Sequence, residues 1–232
     1  MSHRIALLDD YLGVCGTGGL SYPTAELAIA LLLDLARDLP AQQASLRAGR
    51  WQSTAGIGLN GKLLGVIGLG TLGSRVARIE QAMDMQVIAW SAHLSAERAR
   101  EQGARYCTLD ELLAQSDFVS IHLVLGESTR ALIGARELGL MKRSAYLINT
   151  SRGPIVDQAA LIEALEAGRL AGAALDVYDQ EPLPPEHPIL RAPRTLLTPH
   201  IGYATRETFE VFYRDALEDI EAYLAGRPIR VL

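Results

Sequence analysis

The segment that decides the fold lies at residues 65–73, which read GVIGLGTLG. A run of strand-forming residues leads into Gly68, Gly70 and Gly73, and a helical pattern follows directly. Gly68 permits a tight turn, Gly70 lets the backbone approach a pyrophosphate, and Gly73 allows the helix to pack closely on the strand. The spacing therefore predicts a dinucleotide-binding loop in which the helix N-terminus offers free N–H groups to the phosphates.

Short apolar runs alternate with helical patterns along most of the chain. The predicted strands are Ile5–Leu8, Leu63–Ile67, Gln86–Trp90, Phe118–His122, Ala145–Asn149, Ala173–Val177 and Leu196–Leu197. The predicted helices between them are Leu72–Met83, Ser95–Gln102, Leu109–Gln115, Ala135–Met141 and Gln158–Ala167. The strands lack polar alternation, which is typical of parallel strands covered on both faces. This succession predicts an α/β fold, a Rossmann-like doubly wound parallel sheet.

Two longer helical patterns lie outside this alternation. Residues Pro23 to Leu39 form one of them, with Pro23 in the first turn and Pro40 closing the helix. One face of this helix carries an apolar stripe, which suits either a dimer interface or an ordinary core contact; its leucines are Leu27, Leu31, Leu35 and Leu39. Residues Thr205 to Leu224 form the other, and Gly226 ends it.

Composition excludes several classes of protein. The 232 residues are 49% apolar and 21% charged, unlike a disordered or collagen-like chain. The net charge of −5 argues against binding to nucleic acid. No apolar run approaches the about 20 residues of a membrane span, and we expect no targeting segment. Cys15 and Cys107 have neither metal nor redox spacing, so we expect reduced thiols, a cytoplasmic protein and no metal site.

The second strand of a dinucleotide-binding unit commonly ends in an acid that holds the adenosine ribose of NAD. Here it ends in WSAH at residues 90–93, without a carboxylate. A neutral end removes the charge that would repel a ribose phosphate, and Arg98 is near in sequence. The choice between NAD and NADP stays open at this point, and His93 is either a phosphate contact or a solvated loop residue.

Polar residues follow three of the later predicted strands, at the edge where doubly wound sheets bind ligands. They form the segments NTSRG at 149–153, DVYDQEP at 176–182 and TPHIG at 198–202. Together with the glycine loop, and in this order, they resemble the D-isomer-specific 2-hydroxyacid dehydrogenases. The resemblance runs from about Cys15 to the C-terminus. It implies an oxidoreductase that transfers a hydride between NAD(P) and a D-2-hydroxy acid or 2-oxo acid.

The resemblance assigns catalytic roles to three residues. Oxidation of a 2-hydroxy acid releases a proton from oxygen, and histidine is the usual base for such a proton. By resemblance His200 is that base, Glu181 orients and stabilises it, and Arg152 binds the anionic substrate. Arginine suits this role because its planar fork pairs with a carboxylate at two points. Singly, the three could instead be a loop histidine, a solvated acid and a surface charge.

The resemblance also implies a set of cofactor contacts. Asp176 matches an acid beside the nicotinamide amide, with a turn-capping aspartate as the alternative. His122 begins a stretch that passes over the cofactor, with a structural role as its alternative. The expected cofactor-binding residues are Gly68, Gly70, Thr71, Leu72, Gly73, Ser91, His122, Thr150, Asp176 and Gly202.

Compared with the family pattern, most of the substrate domain is missing between Val14 and Cys15. The expected division is a vestigial second domain at 1–22, linker and dimerisation helices at 23–59, the nucleotide-binding domain at 60–200, and a C-terminal helix at 201–232. We expect the strand at Ile5–Leu8 to be displaced, frayed or unusually paired. We also expect impaired activity, because cleft closure and water exclusion depend on the missing part.

Three interpretations of function follow. The first is a 2-hydroxyacid dehydrogenase that acts as a homodimer on a small 2-hydroxy or 2-oxo acid. The second is a non-catalytic protein that binds the nicotinamide dinucleotide as a pseudoenzyme or sensor. The third is a fragment or the product of an internally deleted gene.

Overall fold

A seven-stranded parallel sheet organises the structure, a computed structural model that describes residues 20–230. Its strands are β1 (Leu63–Ile67), β2 (Gln86–Trp90), β3 (Arg105–Tyr106), β4 (Phe118–Ile121), β5 (Tyr146–Asn149), β6 (Gly172–Leu175) and β7 (Thr195–Leu197). The order across the sheet is β3-β2-β1-β4-β5-β6-β7. The strand order reverses at β1, which pairs with both β2 and β4 and so marks the place where doubly wound sheets bind ligands. The predicted Rossmann-like fold is confirmed.

Within residues 20–230 the chain forms eight α-helices. They are α1 (Tyr22–Arg37), α2 (Leu39–Arg47), α3 (Thr71–Gln81), α4 (Ala96–Glu101), α5 (Leu109–Gln115), α6 (Ala135–Leu140), α7 (Gln158–Glu166) and α8 (Arg206–Leu224). Short 3₁₀ turns lie at Gly153–Ile155 and Pro188–Arg191. The predicted strand at Ile5–Leu8 and the junction after Val14 lie outside the described residues.

The sheet is buried on both faces, as the apolar strand sequences predicted. In β1, Leu64 and Val66 belong to the apolar cluster that includes α1 and α3, whereas Ile67 belongs to the cluster that includes α5 and α7. Successive residues of a strand point to opposite faces, so one short strand contributes to both clusters. Burial of β1 on both sides holds the loop that follows it at a defined position.

The edge strand β3 was not predicted from the sequence. Its two residues, Arg105 and Tyr106, are exposed and pair with Ile88 and Ala89 of β2. A two-residue edge strand carries no run of apolar side chains, because water reaches it. Hydrophobic periodicity therefore gives no signal for it.

The predicted end of the first long helix at Leu39 was wrong. The helix α1 ends at Arg37, Asp38 adopts a left-handed conformation with φ of +50°, and α2 begins at Leu39. Pro40 lies in the first turn of α2, where the missing N–H of proline costs nothing. Pro40 therefore starts a second helix and does not merely close the first.

The apolar face of α1 packs on the protein's own sheet. Residues Leu31 and Leu32 are buried, and the helix contacts α3, β5 and β6. Leu39, the last of the four leucines of the predicted stripe, is 54% exposed. The predicted contact with the protein's own core therefore accounts for the buried residues on this face of α1.

The chain divides into two units, and the sheet belongs to the unit Tyr22–Gly202. The other unit includes α8, which Thr205 caps by accepting the N–H of Thr208. Within it, the Arg230 guanidinium donates to carboxylates of Glu218 and Asp219. No helix within residues 20–230 is long and apolar enough to cross a membrane.

Candidate functional site

The glycine loop after β1 leaves space at one position and none at the two others. A Cβ atom at Gly68, whose φ is +100°, would lie 2.7 Å from the carbonyl oxygen of His122. A Cβ atom at Gly73 would lie 2.0 Å from the carbonyl oxygen of Gly68. At Gly70 a Cβ atom would meet nothing within 4 Å. The loop is thus tightly packed against its own backbone and open in front of Gly70.

That open space suits a phosphate group. Gly70 is the N-cap of α3 and provides no side-chain cap, so Thr71 and Leu72 begin the helix without a side-chain acceptor at the cap. The helix N-terminus carries a partial positive charge, which favours an anion there. The residues present therefore fit the pyrophosphate of a dinucleotide.

A second candidate ligand contact lies in the turn after β5. Asn149 accepts the N–H of Ser151 and donates its side-chain amide to the carbonyl of Arg152, both at 3.0 Å. These two hydrogen bonds fix the turn that contains Thr150. The Thr150 hydroxyl is buried and has no hydrogen-bond partner within the part of the chain that the structure describes. Such a group is costly unless a ligand or water satisfies it, so Thr150 is suited to contact a ligand.

The side chains of His200 and Glu181 lie within ion-pair distance of each other, at the carboxyl ends of the parallel strands. The distance between His200 Nδ1 and Glu181 Oε2 is 2.5 Å. The other carboxylate oxygen of Glu181 accepts the N–H of Tyr178 at 2.8 Å. Glu181 therefore holds the imidazole by Nδ1, and Nε2 is the nitrogen through which the ring can exchange a proton with a substrate.

Asp176 anchors the loop that carries His200. Its carboxylate accepts the Thr198 hydroxyl at 2.6 Å and the N–H groups of Ile201 and Gly202 at 2.9 and 2.8 Å. His200 has φ of +53°, a left-handed conformation that is uncommon outside glycine. Burial raises the pKa of Asp176, while its hydrogen bonds act in the opposite direction. These hydrogen bonds hold the turn before α8, and the predicted contact of Asp176 with the nicotinamide amide stays a prediction.

Tyr178 supports the same loop and was not singled out from the sequence. Its hydroxyl donates to the carbonyl oxygens of Thr198 and Leu175, at 2.9 and 3.2 Å. Burial is the main reason that its pKa rises to about 12. Its position between Asp176 and Glu181 in the DVYDQEP segment was the only sequence signal for this role.

Arg152 lies in a turn that packs on the Glu181 segment. A Cβ atom at Gly153 would lie 2.0 Å from the carbonyl carbon of Tyr178, so the two backbones are in contact. The Arg152 guanidinium donates to the carbonyl of Ser151 at 2.7 Å. The sheet therefore brings the segment of the predicted substrate arginine beside the segment that holds the histidine.

The other predicted cofactor residues lie at the same edge. Ser91 follows β2, and the N–H of Gly68 donates to the carbonyl of Trp90 at 2.8 Å, which ties that end to the glycine loop. His122 follows β4 and lies 2.8 Å, through Nε2, from the Ser120 hydroxyl. Burial lowers the pKa of His122 to about 4, so the ring is neutral at pH 7. Its predicted place beside the cofactor, with a structural role as the alternative, stays a prediction.

Comparison with known proteins identifies the family. The sequence model of the family "D-isomer specific 2-hydroxyacid dehydrogenase, NAD binding domain" matches residues 29–202, about three quarters of the chain. The chain belongs to this family. The resemblance seen in the sequence is thereby confirmed.

Several relatives of this family member are known. The glyoxylate reductase of Aeropyrum pernix is 43% identical over 219 residues, which are 90% of this chain and 65% of the relative. A phosphoglycerate oxidoreductase structure from Vibrio cholerae has a TM-score of 0.85 at 33% identity, covering 90% of this chain and 68% of that one. A D-lactate dehydrogenase structure from Aquifex aeolicus, complexed with NAD and lactic acid, has a TM-score of 0.81 at 30% identity, covering 90% and 68%.

The chain is shorter than these relatives. It spans 65% of the Aeropyrum pernix protein and 41% of the D-3-phosphoglycerate dehydrogenase of Archaeoglobus fulgidus, which is 42% identical over 215 residues. This coverage is consistent with the predicted absence of most substrate-domain residues.

Proposed function

We propose that this chain carries the cofactor-binding and proton-transfer machinery of an oxidoreductase acting on D-2-hydroxy acids and 2-oxo acids. The observation that carries the proposal is the pair of His200 and Glu181 at the same sheet edge as the glycine loop. The nicotinamide, when bound, supplies or accepts the hydride. Residues of the chain supply the remaining steps.

His200 handles the proton of the reaction. In reduction, its protonated ring donates to the carbonyl oxygen of the 2-oxo acid as that oxygen gains negative charge. In oxidation, the neutral ring accepts the proton from the substrate hydroxyl. Glu181 stabilises the imidazolium in both directions, and its own orientation is fixed by the N–H of Tyr178.

Arg152 gives the site its charge selectivity. A 2-oxo acid carries a carboxylate beside its carbonyl, and a guanidinium binds such a group at two points. The glycine loop and the Thr150 hydroxyl orient the dinucleotide in this scheme. In this scheme Asp176 is a positioning residue, because it hydrogen-bonds the loop that carries His200.

The names of the relatives suggest the substrate class. Glyoxylate reductase activity is named for the Aeropyrum pernix relative, and lactic acid is bound in the Aquifex aeolicus structure. Small 2-oxo acids such as glyoxylate are therefore the substrates we propose. We further propose a homodimer in the cytoplasm, without nucleic-acid or membrane partners. The net charge of −5 supports the absence of nucleic-acid partners and the buried free thiol of Cys107 supports the cytoplasm, while the homodimer rests on the family resemblance alone.

Oxidation of NADH and NADPH should be followed with glyoxylate, hydroxypyruvate and pyruvate. His200→Ala is expected to lower kcat by about 10²–10⁴-fold, since it removes the proton donor, while cofactor affinity stays within twofold. Glu181→Gln should reproduce part of that loss, with Glu186→Gln as the matched control because Glu186 is exposed nearby. Wild-type turnover no faster than that of His200→Ala would disprove catalysis.

The short length favours one alternative function. In this alternative the chain binds a dinucleotide without turning it over, and its coverage of only 65% of the Aeropyrum pernix relative supports it. Cofactor binding with no turnover of any of the three acids would support that sensor or pseudoenzyme. An intermediate rate that still depends on His200 would support an impaired dehydrogenase.

A further inference from the structure

The end of β2 lacks the negative charge that selects against NADP. An acid at this position holds the ribose 2′-hydroxyl of NAD and repels a 2′-phosphate. Residues 91–95 read SAHLS and contain no carboxylate. Pairing of Ile67 with Trp90, and the hydrogen bond from Gly68 to Trp90, place this segment directly beside the glycine loop. The segment expected to face the adenosine ribose therefore carries no negative charge of its own.

Positive charge lies close to the same segment. Ser95 caps α4 by accepting the N–H of Arg98 at 3.2 Å, so Arg98 lies in the first turn of that helix. Arg98 and His93 are exposed, and within residues 20–230 neither takes part in an ion pair. The charge of Arg98 and the ring of His93 are thus accessible to an anion in solvent.

The nearest acid in the sequence, Glu97, lies in the first turn of α4. Hydrogen bonds from its own backbone N–H and from Ser95 lower the pKa of Glu97. From residue 90 to residue 106 the chain has three arginines and two glutamates, a local excess of positive charge in a protein of net charge −5. Local and overall charge therefore have opposite signs.

We propose that this chain binds NADP(H) at least as tightly as NAD(H), with the Ser91 hydroxyl and the Arg98 guanidinium recognising the adenosine 2′-phosphate. A hydroxyl donor and a guanidinium are both suited to phosphate oxygens, and arginine binds them at two points. The inference rests on the proposed function only in that both require a dinucleotide at the glycine loop.

The test is a binding measurement that does not depend on turnover. Dissociation constants for NADPH and NADH are measured by calorimetry and by the fluorescence of Trp90 in a Trp51→Phe background. Trp51 is 77% exposed in an extended segment, so its replacement leaves Trp90 as the single tryptophan reporter. We expect NADPH to bind as tightly as NADH or more tightly, and its affinity to fall more steeply with added salt.

Three variants separate charge from shape. Ser91→Asp should weaken NADPH by at least about tenfold and bind NADH as tightly as wild type or more tightly, since an acid there holds the NAD ribose, whereas Ser91→Asn should weaken NADPH much less because it adds no charge. Arg98→Ala should weaken NADPH by about tenfold or more and leave NADH within twofold. Arg100→Ala, at an exposed arginine two residues further along α4, is the matched control and should change neither.

The outcomes are distinguishable from those of the proposed function. NADPH binding more than threefold weaker than NADH, or a NADPH affinity unchanged by either Ser91→Asp or Arg98→Ala, would overturn this inference and leave the dehydrogenase proposal intact. Binding of neither dinucleotide would overturn both. NADPH binding within threefold of NADH or tighter, and sensitive to both variants, would establish the 2′-phosphate site.

Discussion

Two halves of the candidate site are built in different ways. The cofactor half, the glycine loop at 65–73 with the end of β2, depends on backbone: glycines without side chains and a helix N-terminus without a side-chain cap. The proton-transfer half, residues 176–202, depends on side chains that hydrogen-bond other side chains and backbone N–H groups of the same region. The first half is sensitive to added atoms, whereas the second is sensitive to lost hydrogen bonds.

The largest expected effect is in the cofactor half. Gly73→Ala would place a Cβ atom 2.0 Å from the carbonyl oxygen of Gly68, so loop and helix must separate. We expect about 3–4 kcal/mol of lost stability by chemical denaturation, together with loss of dinucleotide binding by calorimetry. Gly70→Ala is the control, since its Cβ atom meets nothing within 4 Å. It should lose under about 1 kcal/mol, because alanine is a poorer N-cap than glycine, and should lose affinity; equal destabilisation by both variants would contradict this account.

The matching test of the proton-transfer half is Asp176→Asn. The amide would turn a donor toward one of the N–H groups of Ile201 and Gly202, which leaves an opposed pair in a buried site. We expect a loss of about 2–3 kcal/mol of stability and about 100-fold in kcat, because His200 moves from its position. Asp110→Asn, on an exposed ion pair with Arg136, serves for comparison and should cost under about 1 kcal/mol. Full activity in Asp176→Asn would show that the loop needs no such anchor.

A buried acid on α3 gives the cofactor half a pH dependence of its own. Glu80 lies on the buried face of α3 with Val76 and Ala77, is fully buried, and has no hydrogen-bond partner for either carboxylate oxygen within the described part of the chain. Burial raises the pKa of Glu80 from 4.5 to about 7. Folding therefore favours the protonated acid, and its ionisation destabilises the fold as the pH rises from about 4.5 through 7.

Glu80→Gln should remove that dependence. Relative to wild type, the variant is expected to gain about 1–3 kcal/mol at pH 8.5 and little at pH 4.5, where the folded chain keeps the acid protonated and the unfolded chain is only half ionised. Urea denaturation at several pH values measures the difference, and Glu163→Gln, at an exposed position, provides the control. A difference between Glu80→Gln and wild type that is the same at all pH values would argue against a titrating Glu80.

The smallest effect is expected at the second support of the His200 loop. Tyr178→Phe removes the hydrogen bonds to the carbonyls of Thr198 and Leu175 but keeps the ring in place. We expect a loss of about 1 kcal/mol in thermal or chemical unfolding and a fall in kcat of under about tenfold. Tyr213→Phe, at a ring that is 65% exposed, should change neither. A kcat loss as large as that of His200→Ala would instead indicate direct contact between Tyr178 and the reacting atoms.

Helices and strands with a clear pattern of apolar residues were predictable, whereas those set by a single unusual residue or by exposure to water were not. The run of β1 into Gly68 and the buried strands β4 and β5 carry clear apolar patterns. The break at Asp38 between α1 and α2 has no such pattern, because it depends on one left-handed residue followed by a proline that suits a new first turn. Edge strand β3 was not predicted because both of its residues are exposed, so it has no apolar pattern in the sequence.

The sequence by itself determined the fold class, the glycine loop and the family, because these depend on residue types at short spacing within a few segments. Tertiary structure alone decided that Asp176 holds the loop of His200, that Tyr178 braces it, and that Glu80 is a core acid without a partner among the described residues. Hydrogen bonds between residues some twenty positions apart leave no mark on local periodicity. They exist only once the parallel sheet has brought the carboxyl ends of its strands to one edge.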